Sequence, residues 1–268
     1  MLRLLKIDLI KLTNYRPFNV LLILYSFLII SVPIGFMEVL KWLKRIGAEM
    51  DEFDPMKIPV LYFPDIWQNV TYVYSYPIVK IFLAMVIVLS VSNEFSYKTV
   101  RQNIIDGMSR TDFLISKLST TLLLSLGSAL LVFLTCLLTG MIYSPAIEFA
   151  DILQGLQFVF VYFLDLLAYL LFAVLLTVLL KRSALTIFIL LIYRPIELIL
   201  IATLPDQIEV IGEYFPMQAN ANLIEIPFPK YIFQEIQDFI TLESILVVVV
   251  YVGLYYLAVS RKLTKSDL

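Results

Sequence analysis

Four ionisable residues stand inside stretches that are otherwise apolar: Lys80, Asp165, Arg194 and Glu197. A charge at the centre of a bilayer costs at least ~2.5–3.5 kcal/mol on insertion scales, so each must find a partner or water. Two cations and two anions at matched depth allow two chemistries. They can neutralise one another as a static ion-pair network between helices, or they can line a polar route whose pairs break when it opens. Pro195 lies beside Arg194 and removes a backbone donor, which frees a carbonyl and can kink the helix there. Other chemistry is thinly represented. There is no histidine, which removes imidazole acid–base catalysis and most zinc sites. The single cysteine, Cys136, sits in an apolar run and reads as a small buried hydrophobe. No Gly-x-x-x-x-Gly-Lys-Ser/Thr stretch exists, so this chain does not cradle a nucleotide through a P-loop.

A second constellation is the polar stretch NEFSYKTVRQNIIDGMSRTDFLISK, from Asn93 to Lys117. Tyr97, Val100, Ile104 and Met108 recur at helical spacing, with Lys98, Arg101, Gln102 and Asp106 off that face. Gly107 suits a helix stop. Ser109 with Asp112 three residues on predicts a capping box that restarts a helix. The stretch therefore reads as a short amphipathic helix, a tight turn and the base of a further span. Such a helix is either a connector held by lipid headgroups or a docking surface for a partner.

The elements that must carry these residues follow from the bulk composition. The chain has 268 residues, of which 60% are hydrophobic and 16% charged, with mean hydropathy +0.90. A soluble domain is about 45–50% apolar and about 25% charged. The surplus predicts an all-α protein in a lipid bilayer, and a net charge of −2 offers nothing to nucleic acid. About 20 apolar residues cross a bilayer as a helix. Six runs qualify, at 18–37, 70–92, 114–139, 156–180, 184–204 and 244–260. They define a six-span domain over 18–260, preceded by an amphipathic N-terminal segment over 1–17 and followed by a short tail over 261–268. In that first segment Leu2, Leu5, Leu9 and Leu12 share one face, which predicts a helix lying in the membrane plane.

Six spans put both termini on one side. That side, with 93–117 and 181–183, carries thirteen Lys and Arg against five on the other, so it is expected to be cytoplasmic. The acids lean the other way, with fifteen on the outer side against five. The outer loops 38–69 and 205–243 are proline-rich and can hold short helices, among them the amphipathic YIFQEIQDFI at Tyr231–Ile240. The alternating aromatics of VTYVYSYP (Val70–Pro77) predict an outer interfacial belt.

The polar stretch also carries a resemblance. Glu94, Thr99, Arg101, Gly107, Ser109–Arg110, Phe113 and Lys117 resemble the loop of ABC exporter permeases of the type-2 family. Members show an acid at the end of the second span, a Thr-x-Arg-like stretch, Gly-x-Ser-Arg, then an aromatic and a lysine entering the third span. Here Met108 replaces the usual proline before Ser-Arg. The resemblance extends to the amphipathic N-terminus, the six spans and the larger outer loop before the last span. It implies a permease subunit of an ATP-driven exporter in a prokaryotic plasma (inner) membrane, with both termini cytoplasmic. It also implies that the polar helix is a coupling helix docking into a separate ABC ATP-binding subunit, with Glu94, Tyr97, Lys98, Val100, Arg101, Ile104, Ile105, Gly107 and Arg110 as the docking site. ATP and Mg would be used by that partner, and no cofactor would be bound by this chain. A second copy or a homologous permease would complete a pathway opening towards the outer leaflet. The competing class is a secondary transporter driven by an ion gradient, which the intramembrane charges suit but the lack of a visible repeat does not. An intramembrane enzyme ranks last, since no serine–lysine or paired-aspartate motif stands in the spans.

Overall fold

The computed structural model describes residues 2–47, 59–231 and 239–265. Among the described residues every regular element is helical: α1 (Leu2–Thr13), α2 (Arg16–Gly47), α3 (Ile66–Tyr74), α4 (Pro77–Ser96), α5 (Thr99–Ile105), α6 (Arg110–Tyr143), α7 (Phe149–Leu153), α8 (Gln157–Leu180), α9 (Ser183–Ala202), α10 (Pro216–Ala221) and α11 (Leu242–Lys265), with 3₁₀ turns at Asp206–Tyr214 and Phe228–Tyr231. Six of these helices are long and apolar enough to cross a membrane, namely α2, α4, α6, α8, α9 and α11. The protein is a multi-pass membrane protein, because only helices or closed barrels satisfy every backbone group in lipid.

α8 is the hub. It is apolar on all sides, and it packs against α4, α6, α9 and α11. A helix apolar on all sides belongs in the interior. α2, α9 and α11 keep long apolar faces outward, as helices at the rim of a bundle do. One end of the bundle gathers α1, the α4–α5–α6 connection, the α8–α9 turn and the end of α11. There Arg110 donates to the carbonyls of Leu263 and Thr264, both at 2.8 Å, and the Lys181 ammonium stands 5.4 Å from the Phe95 ring centre. α3, α7, α10 and the Asp206–Tyr214 turn occupy the other end.

The second span departs from its expected form. It does not run unbroken from Val70. α3 ends at Tyr74, Ser75 and Tyr76 interrupt it, and α4 restarts with Pro77 at its first position. The cause is local: proline supplies no donor and disfavours a helical residue before it, and Tyr76 is extended at ψ 138°. α3 is nearly all buried, against α6 and α8. The aromatic belt is corrected accordingly. Tyr76 is exposed, but Tyr74 is fully buried and its hydroxyl donates to the carbonyl of Ile29. That carbonyl lies four residues before Pro33 in α2, so the proline has removed its helical partner and Tyr74 replaces it.

Other boundaries shift by smaller amounts. α2 continues past the apolar run to Gly47, since no helix breaker intervenes. α11 runs through Arg261 and Lys262 to Lys265, so most of the expected tail is helix. The amphipathic YIFQEIQDFI segment falls largely on 232–238, outside the described residues.

Candidate functional site

The polar stretch between α4 and α6 is built by local chemistry. Lys98 and Gly107 adopt left-handed backbone angles, φ 56° and 99°, and bracket α5. Gly107 N donates to Ile104 O at 3.1 Å and Met108 N to Asn103 O at 2.9 Å, which is the hydrogen-bond pattern of a Schellman stop. Ser109 then caps α6. Asp112 N donates to Ser109 Oγ at 3.0 Å, and Ser109 N donates to Asp112 Oδ2 at 3.1 Å. Both signals read from the sequence, the glycine stop and the capping box, are present.

The two faces of α5 differ from the expected docking surface. Val100 is buried, Ile104 half-buried, and Met108 packs against the core. Val100, Ile104 and Met108 of the expected stripe face the protein's own bundle, because burying them there leaves less apolar surface exposed, whereas Tyr97, expected on the same face, precedes the helix and points out. Glu94 is also turned inward. Val100 and Glu94 are therefore corrected from surface contacts to internal ones. Outward lie Tyr97, Lys98, Arg101 and Ile105, with Tyr97 76% and Ile105 77% exposed. Arg110 is half-buried and engaged with the end of α11.

Glu94 belongs to a buried charge cluster that unites three helices. Lys117 Nζ of α6 donates to Glu94 Oε1 of α4 at 2.8 Å and to both Asp8 oxygens of α1 at 3.1 Å. Thr120 adds a bond to Asp8 Oδ2 at 3.2 Å, and Lys11 lies 3.6 Å from Glu94. The sequence reading gave Asp8 no partner and missed this. A signal was present: Leu5, Asp8 and Leu12 share one helical stripe, so the acid interrupts an apolar face.

The four intramembrane charges form two separate groups. Lys80 Nζ of α4 contacts Asp165 Oδ1 and Oδ2 of α8 at 2.7 and 2.8 Å, with both side chains buried. Lys80 stands in the first turn of α4, because the span starts at Pro77, and it also lies 4.9 Å from the Tyr169 ring centre. Arg194 instead pairs with Glu197 on its own helix at 3.3 Å. The Glu197 carboxylate accepts from Met217 N at 3.1 Å and from Gln218 N, and so caps α10. One level away in the core, Tyr25, Ser128 and Tyr162 join α2, α6 and α8 through a triangle of hydroxyl bonds.

No metal site emerges: among the described residues no three His, Cys, Asp or Glu side chains converge. Cys136 is fully buried in α6, as its apolar setting implies.

Residues 53–268 match the model of a family described as a protein of unknown function, DUF2705. No curated protein matches the chain.

Proposed function

The chain belongs to the DUF2705 family, and from its own residues we propose that it is the permease subunit of an ATP-driven exporter whose ATP is hydrolysed by a separate chain. The observation that carries this reading is the outward face of α5. A helix of seven residues between two spans holds Val100 and Ile104 against the bundle and turns Arg101 and Ile105 away from it, with Tyr97 and Lys98 exposed just before its first residue. Exposed aromatic, aliphatic and cationic side chains on a short rigid helix suit a groove on a partner protein.

In this reading α5 is the coupling helix and faces the cytoplasm of a prokaryotic cell, with α1 lying along the same membrane surface. The partner is an ABC ATP-binding subunit that uses ATP and Mg. A second copy or a homologous permease supplies the other half of the pathway. The cation bias of the end that holds α5 supports the orientation.

The test is Arg101→Glu combined with Ile105→Glu, two substitutions on exposed positions. The variant should keep its membrane insertion and lose both co-purification of the ATPase and stimulated hydrolysis. Unchanged association would overturn the docking assignment.

A second reading, transport driven by an ion gradient, draws support from the buried Lys80–Asp165 pair, a site where a coupling proton could break the ion pair. Transport by the purified chain alone, without nucleotide, would favour it.

A further inference from the structure

At the end of the bundle away from the chain termini, a cavity of about 790 Å³ lies between the α3–α4 break, α9, α10 and the start of α11. That volume falls in the range of about 300–1,000 Å³ typical of drug-sized ligands. Its walls are of three kinds. Leu198, Ile226 and Val247 form an apolar side, Tyr72 and Tyr76 an aromatic one, and Glu213, Glu225 and Glu243 bring three carboxylates. Arg194 is the single cation among the described lining residues, and its guanidinium is already held by Glu197 at 3.3 Å.

We propose that this cavity binds an amphiphilic organic cation. Three carboxylates against one neutralised guanidinium leave the space electronegative, which repels an anion and gives a neutral ligand no use for the charge. A metal ion is a poor fit, since the carboxylates surround the cavity without converging on a point. The tyrosine wall suits a diffuse positive charge. The Tyr72 and Tyr76 rings meet edge to face with centres 5.4 Å apart, and their hydroxyls bond to each other at 2.9 Å. One hydroxyl donates to the other and a single phenolic proton stays free, so the pair offers mainly ring surface, and ring faces attract alkylammonium and phosphonium groups. Glu243 is held in place by the Tyr214 hydroxyl at 2.6 Å. The apolar side would take the ligand's hydrocarbon part.

The assignment stands apart from the exporter reading, because it concerns binding by the isolated chain. The experiment measures equilibrium binding of tetraphenylphosphonium to the purified protein in nanodiscs of zwitterionic lipid, with tetraphenylborate as the anion of the same shape. Saturable binding of the phosphonium is expected. The triple variant Glu213→Gln, Glu225→Gln, Glu243→Gln should weaken it about tenfold or more, from the loss of three charge interactions. Glu225→Gln alone, which leaves the Tyr214–Glu243 bond intact, should weaken it about threefold while the thermal midpoint is unchanged. Equal binding by the triple variant, preference for tetraphenylborate, or no saturable binding of the phosphonium would each overturn the assignment.

Discussion

Asp165→Asn tests whether the buried pair in the bundle is held by mutual neutralisation. The Lys80 and Asp165 side chains are 3% and 1% exposed, and their closest contact is 2.7 Å. Removing the anion leaves an ammonium that water does not reach. Losing one partner of a buried ion pair costs about 3–5 kcal/mol. The Tyr169 ring, with its centre 4.9 Å from Nζ, faces that charge with or without Asp165 and so offsets none of the loss. The net loss is therefore about 3–5 kcal/mol. Thermal unfolding in lipid nanodiscs should register this as a fall of about 6–20 °C, at about 2–4 °C per kcal/mol for a chain of this size.

Removing both charges should behave differently. Lys80→Met with Asp165→Leu replaces the pair by apolar groups of similar volume, and such replacements are often neutral or stabilising. The double variant should unfold within about 4 °C of the parent. Arg194→Gln should not rescue Asp165→Asn, because Arg194 is bonded to Glu197 and not to Asp165. If the apolar double variant is no more stable than Asp165→Asn alone, the destabilisation does not come from an orphaned lysine and the reasoning fails.

Two further outcomes follow from particular contacts. Lys117→Met strands the Asp8 and Glu94 carboxylates and should cost about 3–5 kcal/mol; because Asp8 is what ties α1 to α6, limited trypsin digestion at Lys6 and Lys11 should also accelerate. A Cβ at Gly140 would meet the Phe63 ring at 2.5 Å, so Gly140→Ala should lower stability by about 1–3 kcal/mol in the same unfolding assay, and Phe63→Leu should recover part of that loss.

What could be read from the chain and what could not divides along physical lines. A bilayer demands an unbroken apolar run of set length, so all six spans were visible within a few residues at most ends. Capping is equally local, and Ser109, Asp112 and Gly107 act as their types dictate. The break at Ser75 and Tyr76 was hidden, because the tyrosines and valines around it are as apolar as a span and Pro77 alone marked it. Pairing was the least legible. Asp8 meets Lys117 across 109 positions, and nothing in either neighbourhood names the other. Each could have been flagged only as a charge standing in a buried stripe, Lys117 among Phe113, Leu114 and Thr121.

The placement of these pairs bears on how a push at α5 would spread. α4 and α6 are joined beyond their ends by α5 and within the bundle by Glu94 and Lys117, and Asp8 adds α1 to the same group. Arg110 ties the base of α6 to the last carbonyls of α11. A displacement of α5 therefore cannot bend one span alone without breaking a buried ion pair, and moving the four helices together costs less. Lys80 and Asp165 make the same connection from α4 to α8 nearer the opposite end, where α10 and α11 border the acidic cavity. A bundle fastened by charges at two levels is suited to move as a body, which is what the proposed permease subunit would need if a separate ATPase drives it.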